Sequence, residues 1–269
     1  MRRIRLEREI TPNRVRMDMY RKEHERIDLL SDCDAMILQD PHSFCFGMDA
    51  VLLSYFSTLK AHDHICEFGT GTGIVPIILS RRNPTIRAIA FEIQKDTANM
   101  AHRSVLMNGF QHQISILHED FCRAEELFGP GSFDLVIANP PYGARGQGLI
   151  NPIQEKALAR HELTVSLEQW LFVASRLLKT KGRLAMVYKP QRLPELIVLL
   201  KKHRLEPKRL IFIQSFARQE PHLIFLESVK DAGSELRVEP TCIIYEDNGS
   251  YTKELLNIYK GAGRFERRT

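Results

Sequence analysis

The chain has 269 residues, of which 43% are apolar and 26% are charged, as in a globular protein with a sizeable core; collagen-like and low-complexity classes are excluded. No apolar run approaches the roughly 18 residues of a membrane helix, and the charged N-terminus lacks the apolar segment of a secretory signal. The five Cys form no CxxC pair, so we expect no disulfide framework or zinc ribbon, and a reducing, cytoplasmic location.

The net charge of +5 is unevenly distributed along the chain. Residues 1–26 carry nine Lys and Arg against five acids and show little periodicity, which predicts a basic, flexible N-terminal arm. Residues 176–209 carry eleven Lys and Arg against two acids. Such a cluster is typical of a surface that binds a polyanion, although a solvated helix face has the same composition.

From residue 27 onward, helical and strand patterns alternate along the chain. The first half predicts a helix over 48–59, a strand over 64–68, a helix over 74–80, a strand over 87–91, a helix over 96–108 and a strand over 114–117. The second half predicts a strand over 134–138, a helix over 166–178, a strand over 184–188, a helix over 194–203 and late strands over 209–215, 223–228 and 240–245.

This alternation of strands and helices favours right-handed crossovers and a mostly parallel sheet. The late strands have no long helices between them, so we expect an antiparallel pair at the end of the sheet. The chain shows no internal repeat and no Ser/Gly/Pro-rich linker. The sequence therefore predicts one α/β domain over residues 27–269, following the arm over residues 1–26.

A glycine-rich turn follows the first strand of this predicted sheet. Glu67 lies near the end of the strand, and Gly69-Thr70-Gly71-Thr72-Gly73 follows. Ligands of an open α/β sheet bind beyond the carboxyl ends of its strands, and glycines let the backbone turn sharply against a ligand. The Gly-x-Gly-x-Gly spacing differs from that of dinucleotide binders, and a tight turn without a ligand has the same pattern.

Carboxylates follow the next two strands at the same predicted edge of the sheet. Glu92 closes the second strand, 23 residues after Gly69, where an acid is able to accept hydrogen bonds from ribose hydroxyls. Asp120 follows the third strand and precedes Phe121, so that pair is able to hold an adenine ring. Each acid alone also fits a surface carboxylate or a helix N-cap. Together with the glycine turn, they indicate a pocket for an adenosine-containing cofactor.

The segment Asn139-Pro140-Pro141-Tyr142 directly follows the apolar strand over 134–138. The Asn139 side-chain oxygen and the Pro140 carbonyl are both able to accept hydrogen bonds from one NH₂ group, and the prolines stiffen the loop. Tyr142 supplies a ring on which a planar base is able to stack. A nitrogen held in this way needs no strong general base if it attacks a sulfonium methyl group, because it loses its proton afterwards. We therefore predict methyl transfer to an amine.

With these motifs, the sequence resembles class I S-adenosylmethionine-dependent amino-methyltransferases. More narrowly, it is similar to the bacterial family that methylates N6 of the adenosine next to the anticodon of a valine tRNA. The similarity covers about residues 27–259 and includes the segments 39–40, 46–53, 159–162 and 249–254. It implies a Rossmann-like fold whose mostly parallel seven-stranded sheet has an antiparallel C-terminal hairpin. It also implies that S-adenosyl-L-methionine is the cofactor.

The resemblance assigns roles to individual positions of this chain. The implied cofactor-binding residues are Gln39, Phe46, Asp49, Glu67, Gly69, Gly71, Gly73, Glu92, Asp120, Phe121 and Asn139. Within this set, the first three belong to the segment that closes over the cofactor, Glu92 holds the ribose, and Asp120 with Phe121 holds the adenine. The implied catalytic residues, which hold the target amine and base, are Asn139, Pro140 and Tyr142.

The remaining assignments concern the partner and the surface. Lys189 and Arg192 follow the carboxyl end of a strand, so we expect them to contact nucleic-acid phosphates. Arg160-His161-Glu162 fits substrate contact and ordinary capping equally well, whereas Trp170, on the apolar face of its helix, is expected in the core. No metal site and no membrane contact are expected, and a monomer is favoured.

The function predicted from the sequence is N6-methylation of a tRNA adenosine. A glutamine side chain of a protein such as a release factor fits the same amine-holding loop. Amino groups of adenine or guanine in ribosomal RNA or DNA are further alternatives, and so is an RNA-binding protein without activity. The absence of a separate N-terminal helical domain and of a visible target-recognition region disfavours the release-factor and DNA alternatives.

Overall fold

The computed structural model describes residues 19–30, 34–43, 45–140 and 165–259. The predictions for residues 1–18, Pro141, Tyr142 and the segment 160–162 concern residues outside the described ranges. In the described part of the chain, a large central sheet is covered by helices on both faces, and a two-stranded hairpin packs at its side.

The strands and helices are numbered in chain order. The strands are β1 (Arg26–Leu30), β2 (Ala35–Gln39), β3 (His64–Phe68), β4 (Arg87–Glu92), β5 (Ile114–His118), β6 (Phe133–Ala138), β7 (Leu178–Tyr188), β8 (Leu205–Gln214), β9 (Leu223–Lys230), β10 (Arg237–Val238) and β11 (Cys242–Ile243). The helices are α1 (Met48–Phe56), α2 (Ile74–Arg82), α3 (Lys95–Met107), α4 (Ala124–Phe128), α5 (Leu167–Leu177), α6 (Leu193–Lys202) and α7 (Lys253–Tyr259). Two 3₁₀ turns span Phe121–Arg123 and Pro190–Arg192.

The central sheet has the strand order β10-β8-β9-β7-β6-β3-β4-β5, with β11 also paired to β8. Strands β3 to β7 are mutually parallel, and β9 is antiparallel to both β7 and β8. The connection between β8 and β9 contains no helix that would return the chain for a parallel pairing, so the chain reverses there. The predicted mostly parallel α/β sheet with a late antiparallel pair is confirmed.

The sheet has more strands than the predicted seven because two short strands pair with the outermost long strand, β8. Strands β3 to β9 make up the seven long ones, and β10 and β11 each pair two residues with β8. The late strand predicted over 240–245 is thus shorter, and the helix predicted over 166–178 ends one residue earlier, at Leu177. Strand β7 already begins at Leu178 instead of residue 184.

The central strands are buried on both faces, which explains their continuous apolar sequences. In β6, Leu135 and Ile137 pack with α1 and α2, while Val136 and Ala138 pack with α5 and α6. Trp170 belongs to the second of these two clusters, and its predicted place in the core is confirmed. Phe68, at the end of β3, packs in the same cluster as Ala138, at the end of β6. Core packing therefore fixes the strand ends that precede the glycine turn and Asn139.

The β1–β2 hairpin was not predicted from the sequence. Its strands are antiparallel, with Arg26 opposite Gln39. Side chains of α3 hold β2 by its backbone: the Met36 N–H donates to Asn108 Oδ1 at 2.9 Å and the Leu38 N–H donates to Ser104 Oγ at 3.0 Å. Because these contacts join segments about 70 residues apart, no local sequence pattern predicts them.

The last residues of the predicted arm also contact α3. Buried Glu25 forms an ion pair with Arg103 at 2.5 Å, and the same guanidinium donates to the Tyr20 carbonyl at 2.5 Å. Residues 20–25 therefore lie against the domain, where a buried ion pair holds them.

Candidate active site

The glycine turn lies at the carboxyl end of β3 and is tied to the end of β4. Gly69, Gly71 and Gly73 have φ values of +68°, +59° and +84°, in the left-handed region that favours glycine. The Thr70 N–H donates to the Phe91 carbonyl at 2.9 Å. A side chain at Gly71 would meet nothing within 4 Å, so the backbone of the turn is open to a ligand there.

Glu67 lies beneath this turn with an unused acceptor. Its side chain is only 3% exposed, and among the described residues its Oε2 atom has no hydrogen-bond partner; the same holds for Thr72 Oγ1. Burial raises the pKa of Glu67 to about 8; the nearby Glu92 carboxylate contributes to this rise, and the Thr70 hydroxyl opposes it. A buried acidic group of this kind suits a ligand with a positive charge. The ammonium and sulfonium groups of S-adenosyl-L-methionine supply such charge.

Glu92 closes β4 next to the turn and braces it. One carboxylate oxygen accepts from the Gly71 N–H at 3.0 Å and the other from the Gln94 N–H at 2.9 Å. The next residue, Ile93, is apolar and 42% exposed at this edge.

The predicted adenine pair, Asp120 and Phe121, has local roles in the structure. Asp120 Oδ1 accepts from the Cys122 N–H at 2.9 Å and caps the 3₁₀ turn, which is the alternative that the sequence left open. The Phe121 ring is 7% exposed and stacks on Phe68 at 4.5 Å between centroids, with Trp170 also at 4.5 Å. Its side chain therefore belongs mainly to an aromatic cluster beneath the turn.

The predicted residues Gln39, Phe46 and Asp49 lie in the segment from the end of β2 to the first turn of α1, and their contacts differ. Gln39 is 1% exposed; its Oε1 accepts from the Phe46 N–H at 2.9 Å and its Nε2 donates to Asp28. The structure therefore uses the Gln39 amide to fasten this segment to the β1–β2 hairpin. Phe46 packs partly buried against the core. Asp49, in the first turn of α1, contacts a predicted site residue outside this segment.

That residue is Asn139, at the end of β6. Its Nδ2 atom donates to Asp49 Oδ2 at 3.1 Å, and buried Pro140 follows it. Strand β6 is the parallel neighbour of β3, and Ala138 pairs with Phe68. Asn139 and the glycine turn are therefore adjacent at the carboxyl edge of the sheet. The structure brings together the two motifs that the sequence assigned to the methyl donor and to the amine.

The basic block over residues 176–209 is divided between two edges of the sheet. Cations in the first halves of β7 and β8 lie towards the edge opposite Asn139, and most contact acids or carbonyls: Lys179 with Asp134, Lys181 with the Asp231 carbonyl, Arg183 with Asp63, Lys208 with the Gly233 carbonyl and Arg209 with Glu239. Lys189 and Arg192, which follow β7, lie at the edge of Asn139. The block is therefore not one continuous polyanion surface beside the active site.

Arg192 contacts neighbouring side chains, and the β8–β9 connection brings one more cation and a histidine to this edge. Arg192 pairs with Glu195 at 2.8 Å and lies over the Tyr188 ring. Exposed Arg218 lies in the connection, and His222 precedes β9 at its end. Partial desolvation and the Lys189 ammonium lower the pKa of His222, against the Asp49 carboxylate, so its ring lies near both groups. Neither residue carries a sequence signal, because the sheet order alone brings this connection to the site.

The described residues contain no helix that is both long and apolar enough to cross a membrane. Within the same ranges, no three His, Cys, Asp or Glu side chains are grouped so that they would hold a metal ion. Cys45, Cys66, Cys122 and Cys242 are free thiols.

Comparisons with known proteins agree with this arrangement. The methyltransferase small domain family matches residues 46–203. A tRNA1(Val) (adenine(37)-N6)-methyltransferase from Porphyromonas gingivalis is 31% identical over 79% of this chain and 86% of its own length. One from Tolumonas auensis is 27% identical over 81% and 89%. The crystal structure of a predicted O-methyltransferase from Agrobacterium tumefaciens superposes with a TM-score of 0.66 at 21% identity, covering 82% of this chain and all of that one.

Proposed function

Because the chain belongs to the methyltransferase small domain family, we propose that it transfers a methyl group from S-adenosyl-L-methionine to N6 of an adenosine in tRNA. Its curated relatives are named for adenine 37 of tRNA1(Val), and they match this chain over most of both lengths. We infer the same nucleotide for this chain, and a cytoplasmic location where tRNA is modified.

The adjacency of Asn139 and the glycine turn carries this proposal. Because Ala138 pairs with Phe68, Asn139 lies next to the glycine turn, beneath which the buried Glu67 has an Oε2 atom without a hydrogen-bond partner among the described residues. A methyl donor above the turn and an amine at Asn139 then meet at one edge of the sheet. In this arrangement the protein lowers the barrier chiefly by holding the reactants in line.

The residues of the chain act on the acceptor. The Asn139 side-chain oxygen and the Pro140 carbonyl accept the two hydrogens of N6, which directs the nitrogen lone pair. When bound, the cofactor supplies an electrophilic methyl group on sulfur. The bond from the amine nitrogen to this methyl group would replace the methyl–sulfur bond, and the methylated nitrogen would give up one proton to water. Glu67 and Glu92 hold the donor side and take no proton from the amine.

The target base must leave the stack of its loop to reach Asn139. Splaying out a base costs a few kcal/mol and is cheaper in a single-stranded loop than in a duplex. Lys189, Arg218 and His222 lie at the same edge and are suited to contact the phosphates that flank the base. We assign the first RNA contacts to these residues and not to the cations of the opposite edge.

The test offers purified protein and methyl-labelled S-adenosyl-L-methionine to unmodified total tRNA, duplex DNA and a release factor in separate reactions. Mass spectrometry then identifies the methylated product. N6-methyladenosine in tRNA alone is the expected result. Label on a glutamine of the release factor would retain the chemistry but replace the substrate, and label in DNA would refute the tRNA assignment.

A further inference from the structure

The orientation of the Asn139 amide decides whether it is able to hold an amine. A carboxamide presents an acceptor oxygen on one side and a donor NH₂ on the other. A target NH₂ group needs the oxygen, so an amide turned by 180° would offer it only hydrogens. Something must therefore hold this side chain in one of its two orientations.

The first turn of α1 supplies the contact that holds it. Asn139 Nδ2 donates to Asp49 Oδ2 at 3.1 Å across a sequence separation of 90 residues. An ionised carboxylate only accepts hydrogen bonds, so it is able to face the nitrogen of the amide but not its oxygen. The oxygen of Asn139 is then directed away from Asp49.

Asp49 is itself fixed by its surroundings. Its Oδ1 atom accepts from the Ala50 N–H at 2.9 Å, which leaves Oδ2 directed to Asn139. A Cβ atom at Gly47 would lie 2.7 Å from Asp49 Oδ1, so the carboxylate occupies space that only glycine leaves open. The Gln39 side chain fastens the preceding residue, Phe46, by its N–H. The carboxylate is thus part of a braced segment.

We propose that Asp49 is a positioning residue, which holds the Asn139 amide with its oxygen towards the target amine. The proposal rests on the proposed function only in that the substrate is an amine bound at Asn139. It differs from the role that the family resemblance implies for Asp49, which is contact with the cofactor. The two roles make opposite predictions about cofactor affinity.

Asp96 provides a matched control. It lies in the first turn of α3, is exposed, and has the same relation to its helix as Asp49 has to α1. Asp49→Ala and Asp96→Ala therefore remove the same charge from equivalent helix positions. Only the first also removes an acceptor of Asn139 and the carboxylate near His222, and the double variant described below separates these two effects.

The first experiment needs no substrate. In protein labelled with ¹⁵N at asparagine, the side-chain NH₂ signals of Asn139 are assigned by their loss in Asn139→Ala. We expect Asp49→Ala to shift these signals and to speed their exchange with water, and Asp96→Ala to leave them in place. Unchanged signals in Asp49→Ala would overturn the proposal whatever the substrate proves to be.

The second experiment measures methylation of unmodified tRNA. We expect Asp49→Ala to lower kcat about tenfold, as for loss of a hydrogen bond to a charged group, with the cofactor Kd from calorimetry unchanged within about twofold. Asp49→Asn, which retains an acceptor oxygen, should recover part of the rate, and Gly47→Ala should lower it by displacing the carboxylate. A weaker cofactor Kd with unchanged kcat would assign Asp49 to the cofactor instead.

A double variant separates action through Asn139 from any independent action. If Asp49 acts only by orienting this amide, Asp49→Ala costs nothing further once Asn139 is alanine. Equal losses in both backgrounds would overturn the proposal. A wild-type protein that methylates no tRNA would instead refute the proposed function, while the NMR comparison would still decide whether Asp49 holds the amide.

Discussion

The two halves of the candidate site are built differently. The donor half, made by the glycine turn, Glu67 and Glu92, comes from two neighbouring parallel strands and is braced by backbone hydrogen bonds. The acceptor half joins Asn139 to Asp49, which is 90 residues away, and borders the β8–β9 connection. The donor half thus joins segments about 20 residues apart and contains two buried acids, whereas the acceptor half joins segments 90 residues apart.

This difference implies that a substitution in the acceptor half lowers the rate of methyl transfer without weakening cofactor binding. Asn139→Ala is expected to have the largest effect, lowering kcat by about 10²-fold or more, because it removes a contact aimed at the reacting nitrogen. The cofactor Kd should change little, since the donor half is complete without this side chain. Single-turnover rates and calorimetry on the same preparation measure both quantities. Equal losses of rate and of cofactor affinity would show that the halves are not independent.

The donor half should respond to pH through Glu67. Its pKa of about 8 without ligand falls when a cation binds beside it, so binding below pH 8 releases a proton. Cofactor affinity should therefore fall as the pH is lowered from 8 to 6, by up to about tenfold per unit. Calorimetry in two buffers of different ionisation enthalpy counts the protons released.

Glu67→Gln is the control for this linkage. The amide has nearly the same shape but does not titrate, so its cofactor affinity should be weaker at pH 8 and nearly constant between pH 6 and 8. If the cofactor affinity of the wild-type protein is also constant over this range, Glu67 does not contribute its charge to cofactor binding.

Asp120 offers a finer test of the donor half, with an expected effect of about fivefold on cofactor affinity. Oδ1 already caps the 3₁₀ turn, so the predicted adenine contact requires Oδ2. Asn has one acceptor oxygen and caps about as well as Asp. Asp120→Asn should therefore keep the melting temperature and weaken cofactor binding, whereas Asp120→Ala should lower both. An unchanged Kd in Asp120→Asn would leave Asp120 with the capping role alone.

The same division explains what the sequence was able to predict. The order of strands and helices, the mostly parallel sheet and the glycine turn follow from local periodicity and turn residues. The β1–β2 hairpin depends on contacts with α3, about 70 residues away. The Asp49–Asn139 hydrogen bond is of this second kind, so the sequence assigned both residues to the site without showing that they meet.

The basic block over residues 176–209 shows that prediction of a charged surface from the sequence has the same limit. Eleven cations in 34 residues suggested one polyanion surface, but a strand carries its first and last residues to opposite edges of a sheet. Lys181 and Lys189 are both in or directly after β7, yet only Lys189 lies at the edge of Asn139. Charge density along the sequence therefore does not measure charge density at the site.

The smallest expected effects test whether tRNA binds at the edge of the sheet where Asn139 lies. Lys189→Ala and Arg218→Ala, at the edge of Asn139, should each raise the KM for tRNA about threefold and reduce the salt dependence of binding by about one counterion. Lys181→Ala and Lys208→Ala remove the same charge at the opposite edge, where both side chains donate to carbonyls, and should change neither quantity. Binding measured from low to moderate salt compares the four variants. If the opposite-edge variants weaken tRNA binding as much, the RNA contacts both edges, and the acceptor half extends well beyond the residues around Asn139.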